Sequence, residues 1–297
     1  YRIGINFMKM NRFDDMADTY KKIIEEFPED ELYCPKAYYW IAWNEMRKKC
    51  YRRAKKFLEV IYNNFRDNEI FPESLYWLGV SSYFLKEENE AVYYFTECIE
   101  LGRREIFTKK LLFWLGDRFL ENKDFSHAET VLLWLDKESL NNDDIQKVAY
   151  MKIEYFIGKK DYNEAVNASL EFLNKYPDSL IKNDVGLALV DAYIGLDKFN
   201  EAENIINQLA QEEDINVVFM AAFKKAGLLK KKGRLEAAAR EYLRLAILYD
   251  HPLCPRAAYE AYEIFKKLGQ TEAMEKSREE ILNRWPDSEQ ARNVQNE

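Results

Sequence analysis

The sequence is poor in the residues that most protein chemistry needs. Of 297 residues only two are histidine and four are cysteine, which leaves little material for a zinc site or a disulfide framework. Ten glycines and seven prolines are too few for an all-β chain, which needs a turn about every ten residues. No apolar run approaches the roughly 18 residues of a membrane span, and Val131–Leu135 is typical of the longest. There is no phosphate-binding glycine loop, no His-x-x-x-His pair and no nucleophile elbow. His127 and His251, more than 100 residues apart, read as ordinary polar residues. The sequence therefore predicts no enzyme, no cofactor, no metal and no small-molecule substrate.

What is abundant is core material and charge. Apolar residues make up 47% and charged residues 32%, which is globular composition and excludes disorder. Aromatic residues reach 15%. The formal net charge of −8 argues against nucleic acid as a partner.

The strongest signal is periodic. One column, before a short polar turn, reads Gly4, Ala42, Gly79, Gly116, Ile153, Val190, Ala226 and Tyr262, with spacings of 36 to 38 residues. Twelve residues on, a second reads Met16, Ala54, Ala91, Ala128, Ala165, Ala202, Ala238 and Met274. Each unit holds two amphipathic stretches joined by a polar turn, which predicts a helical hairpin. Small residues in both columns let paired helices approach closely. Pro35, Pro72 and Pro255 fall at the first turn of a helix, where a missing N–H costs nothing. Gly233 and Gly269 fall just past a helix end.

These columns resemble the tetratricopeptide repeat, whose signature is W-x2-L-G-x2-Y, then A-x3-F, then P. Leu78-Gly79 followed by Ala91-x3-Phe95 fits, as does Leu115-Gly116-x2-Phe119 followed by Ala128-x3-Leu132. The resemblance implies an all-α, right-handed α-solenoid of about eight hairpins. Their approximate bounds are 1–30, 35–68, 72–104, 109–141, 146–179, 183–214, 219–251 and 255–288. It also implies one solenoid domain over 1–297, read as part of a longer chain.

In such arrays the first helices line a concave face where protein partners bind. Its candidate residues here are Tyr39, Trp40, Trp43, Tyr76, Trp77, Tyr83, Phe113, Trp114 and Tyr150, continued by an acidic ladder of Asp117, Glu154 and Asp191. The competing reading packs the tryptophans between neighbouring first helices. An aromatic and acidic groove suits a peptide or helical segment carrying apolar and basic residues. It does not match the Lys and Asn clamp for C-terminal carboxylates. A second candidate is the basic stretch at 47–56, with Arg47, Lys48, Lys49, Arg52, Arg53, Lys55 and Lys56, a contact for an anionic surface.

The motifs Tyr176-Pro177-Asp178-Ser179 and Trp285-Pro286-Asp287-Ser288 resemble those of bacterial envelope-type arrays, the outer-membrane assembly lipoproteins and Tol–Pal-associated periplasmic proteins. That implies a non-catalytic scaffold in an envelope or motility complex, and a periplasmic location. The alternative is a cytosolic adaptor or regulatory module of a larger protein. Unpaired cysteines favour the reducing compartment: Cys34 and Cys50 read as opposite ends of one helix, about 24 Å apart, where a disulfide tolerates about 7 Å.

Overall fold

Repetition of one local design accounts for the architecture. The computed structural model describes residues 1–296, and among them the only regular elements are seventeen α-helices and one short 3-10 turn at Arg104–Ile106. The protein is an all-α solenoid of eight helical hairpins, and its backbone divides into two compact units, Tyr1–Glu138 and Ser139–Glu297.

Unit 1 contains α1 (Arg2–Lys9), α2 (Phe13–Glu26), α3 (Cys34–Arg47), α4 (Tyr51–Asn64), α5 (Phe71–Phe84), α6 (Glu88–Glu100), α7 (Lys109–Glu121) and α8 (Phe125–Leu135). Unit 2 contains α9 (Asn142–Lys159), α10 (Tyr162–Lys175), α11 (Lys182–Gly195), α12 (Phe199–Leu209), α13 (Ile215–Lys231), α14 (Leu235–Leu248), α15 (Cys254–Lys267) and α16 (Thr271–Arg284), followed by the short α17 (Glu289–Gln295). Consecutive helices pair within each hairpin, and α2, α4, α10, α12 and α14 each pack on the first helix of the next one.

The small-residue columns sit where hairpins close. Every residue of the first column is buried, and the six internal alanines of the second are wholly enclosed. The reason is steric: a Cβ on Gly79 would lie 2.6 Å from the Phe95 ring, and one on Gly4 would lie 2.5 Å from Tyr20. Prolines 35, 72 and 255 occupy the first turns of α3, α5 and α15 as the sequence predicts.

The turns repeat as strictly as the helices. Asn11, Lys49, Lys86, Lys123, Lys160, Asp197, Gly233 and Gly269 all have positive φ, between 56° and 73°. Their spacings, from 36 to 38 residues, copy those of the small-residue column. The predicted helix-ending glycines are therefore two members of a column that six non-glycine residues also fill. A lysine there tolerates left-handed strain while placing its charge at a helix C-terminus.

Three boundaries differ from the sequence reading. Helix α9 starts before residue 146 because Asn141 and Asp144 form a reciprocal capping box. Helix α13 starts before 219 because Asp214 accepts the Asn216 N–H at 2.8 Å. Helix α17, beyond the predicted last repeat, is N-capped by Ser288, whose hydroxyl accepts from the Ala291 N–H, and buries Ala291 and Val294. Cys50 does not end the helix that Cys34 begins: α3 stops at Arg47, and Cys50 stands at the N-cap of α4. All four cysteines are free thiols, with Cys34, Cys98 and Cys254 buried.

Candidate binding surface

In unit 1 the predicted aromatic column divides into buried anchors and partly open rings. Tyr39 and Phe113 are buried, whereas Trp40, Trp43, Tyr76, Trp77, Tyr83 and Trp114 are half-buried. Two tryptophans are tied to the preceding hairpin by the same bond: Trp40 Nε1 donates to Tyr1 Oη, and Trp77 Nε1 to Tyr39 Oη, each at 3.3 Å. Trp114 instead meets Tyr83 edge-on, with centroids 5.0 Å apart. Satisfying the indole N–H internally fixes each ring and leaves an apolar surface facing out.

Trp43 lies against Phe13, with centroids 5.5 Å apart, and beneath the Arg47 guanidinium at 5.1 Å. Asp117 is half-buried on α7. Burial pushes the Tyr39 and Tyr76 hydroxyls above their ordinary pKa, so both remain neutral groups at physiological pH.

In unit 2 the sequence column continues with Tyr150, Glu154 and Asp191. Tyr150 is half-buried, and burial, reinforced by Glu154, raises its pKa strongly. Glu154 is exposed. Asp191 is committed: its carboxylate accepts from Lys224 Nζ at 2.7 Å. Lys224 lies on α13, so one turn of α11 faces one turn of α13. Lys230 is likewise paired, with Glu260 at 2.7 Å.

The basic stretch is largely spent inside the fold. Lys48 pairs with Asp14 and Arg53 with Glu45. Lys55 is buried with its ammonium on both Glu87 and Glu90, and Arg47 lies 3.5 Å over the Phe13 ring. Lys49, Arg52 and Lys56 are exposed. The partners Asp14, Glu87 and Glu90 belong to neighbouring hairpins, so the cations fasten one repeat to the next.

Neither histidine forms a reactive constellation. His127 Nδ1 is 2.8 Å from Asp124, the N-cap of α8, and His251 stacks on Phe219 with centroids 4.0 Å apart. No cluster of three or more metal-ligating side chains occurs among the described residues. Among the described residues, no helix is long and apolar enough to cross a membrane. Burial raises the pKa of the Cys34, Cys98 and Cys254 thiols, which makes them poor nucleophiles.

Residues 1–30 match the tetratricopeptide-repeat family model. That match covers the α1–α2 hairpin. No curated protein shows significant sequence similarity to the chain. Among solved structures, the C-terminal part of a tetratricopeptide-repeat protein from Cytophaga hutchinsonii is 13% identical, covering 99% of this chain and 98% of its own, with a TM-score of 0.36. The TPR2AB domain of yeast Sti1, solved as a pHSP90 complex, is 17% identical over 94% of both chains, with a TM-score of 0.35. A monomeric IFIT1 mutant with capped RNA is 14% identical, covering 99% of this chain and 69% of its own, with a TM-score of 0.48.

Proposed function

We propose that this protein is a non-catalytic scaffold that holds protein partners of a bacterial envelope or motility assembly. The partner is a peptide or helical segment with apolar and basic residues, laid on the first-helix faces, with no nucleic acid or small molecule involved. The observation that carries the reading is the tryptophan row of unit 1. Rings held by an internal N–H···O bond, yet half open to solvent, cost little ordering entropy on binding, and tryptophan is the commonest interface anchor. Within unit 1, Asp117 of α7 continues the row and adds orientation and rate rather than affinity. A module of a larger cytosolic protein is the second reading, favoured by the four free thiols. A signal peptide or lipobox upstream decides between them.

The test is affinity capture from the source organism with the wild-type chain, Trp43→Ala and Asp117→Asn. Loss of the same partners from Trp43→Ala, with its melting curve intact, supports the groove. An unchanged set of partners from both variants overturns it.

A further inference from the structure

Four hairpins end their second helix on an aromatic residue in one backbone conformation: Phe27, Phe65, Tyr176 and Trp285, with φ from −136° to −129° and ψ from 44° to 60°. At two of them the preceding residue supplies a cation to the ring. Lys175 Nζ lies 5.3 Å from the Tyr176 centroid, and the Arg284 guanidinium 4.7 Å from that of Trp285. At the first hairpin the preceding residue is Glu26. Its ring differs too: Phe27 is 57% exposed, whereas the other three are half-buried.

The surrounding charge is equally unlike the others. Residues 25–33 hold Glu25, Glu26, Glu29, Asp30 and Glu31 with no base. The matching stretches 63–71, 174–182 and 283–291 have net charges of −1, +1 and −1. Asp30 builds the turn, its Oδ1 accepting the Leu32 and Tyr33 N–H groups at 3.0 and 2.6 Å. The other four make no salt bridge, and Glu25 and Glu26 stand in the last turn of α2, where the helix dipole disfavours an anion. Nothing in the fold is gained by this placement.

Leu32 (52% exposed) and Tyr33 (41%) continue the apolar surface. Leu32 lines a cleft of about 360 Å³ shared with Phe65 and Arg66. The cleft is fixed by Asn68 Nδ2 donating to the Glu31 carbonyl at 2.7 Å. Exposed apolar side chains beside carboxylates that make no salt bridge mark an interaction site.

We propose that this corner of unit 1 docks a partner-protein segment that carries lysine or arginine beside apolar side chains. The partner's cation takes the place over Phe27 that Lys175 and Arg284 fill over their own rings, desolvated enough for cation–π attraction to count. Its apolar side chains cover Leu32 at the mouth of the cleft, whose other walls apart from Phe65 are polar, and the four glutamates steer its approach. This surface is made by the loops joining hairpins, apart from the first-helix faces proposed above.

The probe is a fluorescein-labelled peptide, KLLKKLLKKLLK, with KSSKKSSKKSSK as control, titrated into the full chain and followed by polarisation. The leucine peptide is expected to bind about tenfold more tightly than the serine peptide, because apolar anchors supply most interface energy. Glu26→Lys, which gives Phe27 an internal cation as in the sister hairpins, and Phe27→Ser should each weaken it about fivefold or more. Glu171→Lys changes net charge equally at an exposed position of α10 and should stay within about twofold of wild type. Wild-type affinity in Glu26→Lys, an equal loss in Glu171→Lys, or no preference for the leucine peptide overturns the proposal. Should Phe27→Ser fail to fold, Glu26→Lys still decides.

Discussion

Units 1 and 2 repeat the same columns and fill the space between them differently. Five of the six tryptophans and twelve of the eighteen phenylalanines lie within residues 1–138. There, rings bridge consecutive first helices through Trp40–Tyr1, Trp77–Tyr39 and Trp114–Tyr83. In unit 2 the stretch Val185–Val190 is buried without a break, and α9 and α13 both run close against α11. Aliphatic and small residues let backbones approach, whereas large rings hold them apart and bring polar handles that must be satisfied. The same repeat therefore yields one unit that offers aromatic surface and one that closes on itself.

The largest effect that separates the units comes from removing a core side chain at one shared position, four residues past the alanine column. Phe95 fills it in unit 1, against Tyr76, Phe107 and Trp114, and Ile206 in unit 2. Both are enclosed. Phe95→Ala should cost about 3–5 kcal/mol and Ile206→Ala about 2–4 kcal/mol, measured by denaturant unfolding. Equal losses would show that the ring-filled unit repacks as readily as the aliphatic one.

Alkaline pH should separate them next. Burial raises the pKa of Tyr20, Tyr38, Tyr39, Tyr62, Tyr76 and Tyr94 in unit 1, and of Tyr150 and Tyr242 in unit 2. A group whose pKa is raised by folding stabilises the fold fully below its unfolded value, about 10 for tyrosine, and loses that contribution as pH rises further. Lys55 acts in the same sense: burial opposes its charge, but hydrogen bonds to Glu87 and Glu90 outweigh it and raise its pKa. Tryptophan fluorescence, dominated by unit 1, should therefore change at lower pH than total helicity. Since repeat arrays need not unfold in one step, coincident curves would show that the two units melt as one.

Sequence alone made the solenoid legible because each repeat must bury the same two small-residue columns, and a steric demand of that kind leaves a periodic trace. Gly4, Gly79 and Ala91 are read correctly for that reason. The left-handed turn column was equally periodic but hidden, because lysine is expected at a helix C-terminus for its charge and not for its φ. The Asp191–Lys224 and Lys55–Glu87 bonds join residues 32 or 33 apart, short of a full repeat, and no column alignment brings such residues together. Phe27 was invisible for another reason: its site is defined by what Glu26 replaces, and that needs the conformation of its three sisters.

Within the aromatic row, Tyr39→Phe tests whether the Trp77 bond holds the ring. Tyr39 is buried, so deleting its hydroxyl leaves the indole N–H without its acceptor. A loss of about 0.5–1.5 kcal/mol is expected, with no change in unit 2. If partner affinity falls while stability does not, Trp77 serves the groove more than the core.

The smallest effect concerns the turns. Lys86 and Gly233 hold equivalent left-handed positions, at φ 66° and 73°. A side chain in this region costs roughly 1–2 kcal/mol of steric strain, and glycine avoids it but loses about 0.5–1 kcal/mol more backbone entropy on folding. Lys86→Gly should therefore stabilise by less than about 1 kcal/mol, and Gly233→Ala should destabilise by a similar amount. No side chain within 4 Å of a Cβ at Gly233 confuses the second measurement. The lysine also loses its favourable charge at the end of α5, worth about 0.3–1 kcal/mol at low salt. Running Lys86→Gly at low and high ionic strength separates the two terms, because screening removes the charge and leaves the strain. A gain that grows with salt means strain is what the unit 1 turns tolerate in exchange for their lysines; a loss at both salt concentrations means the left-handed turn there is set by contacts that glycine does not make.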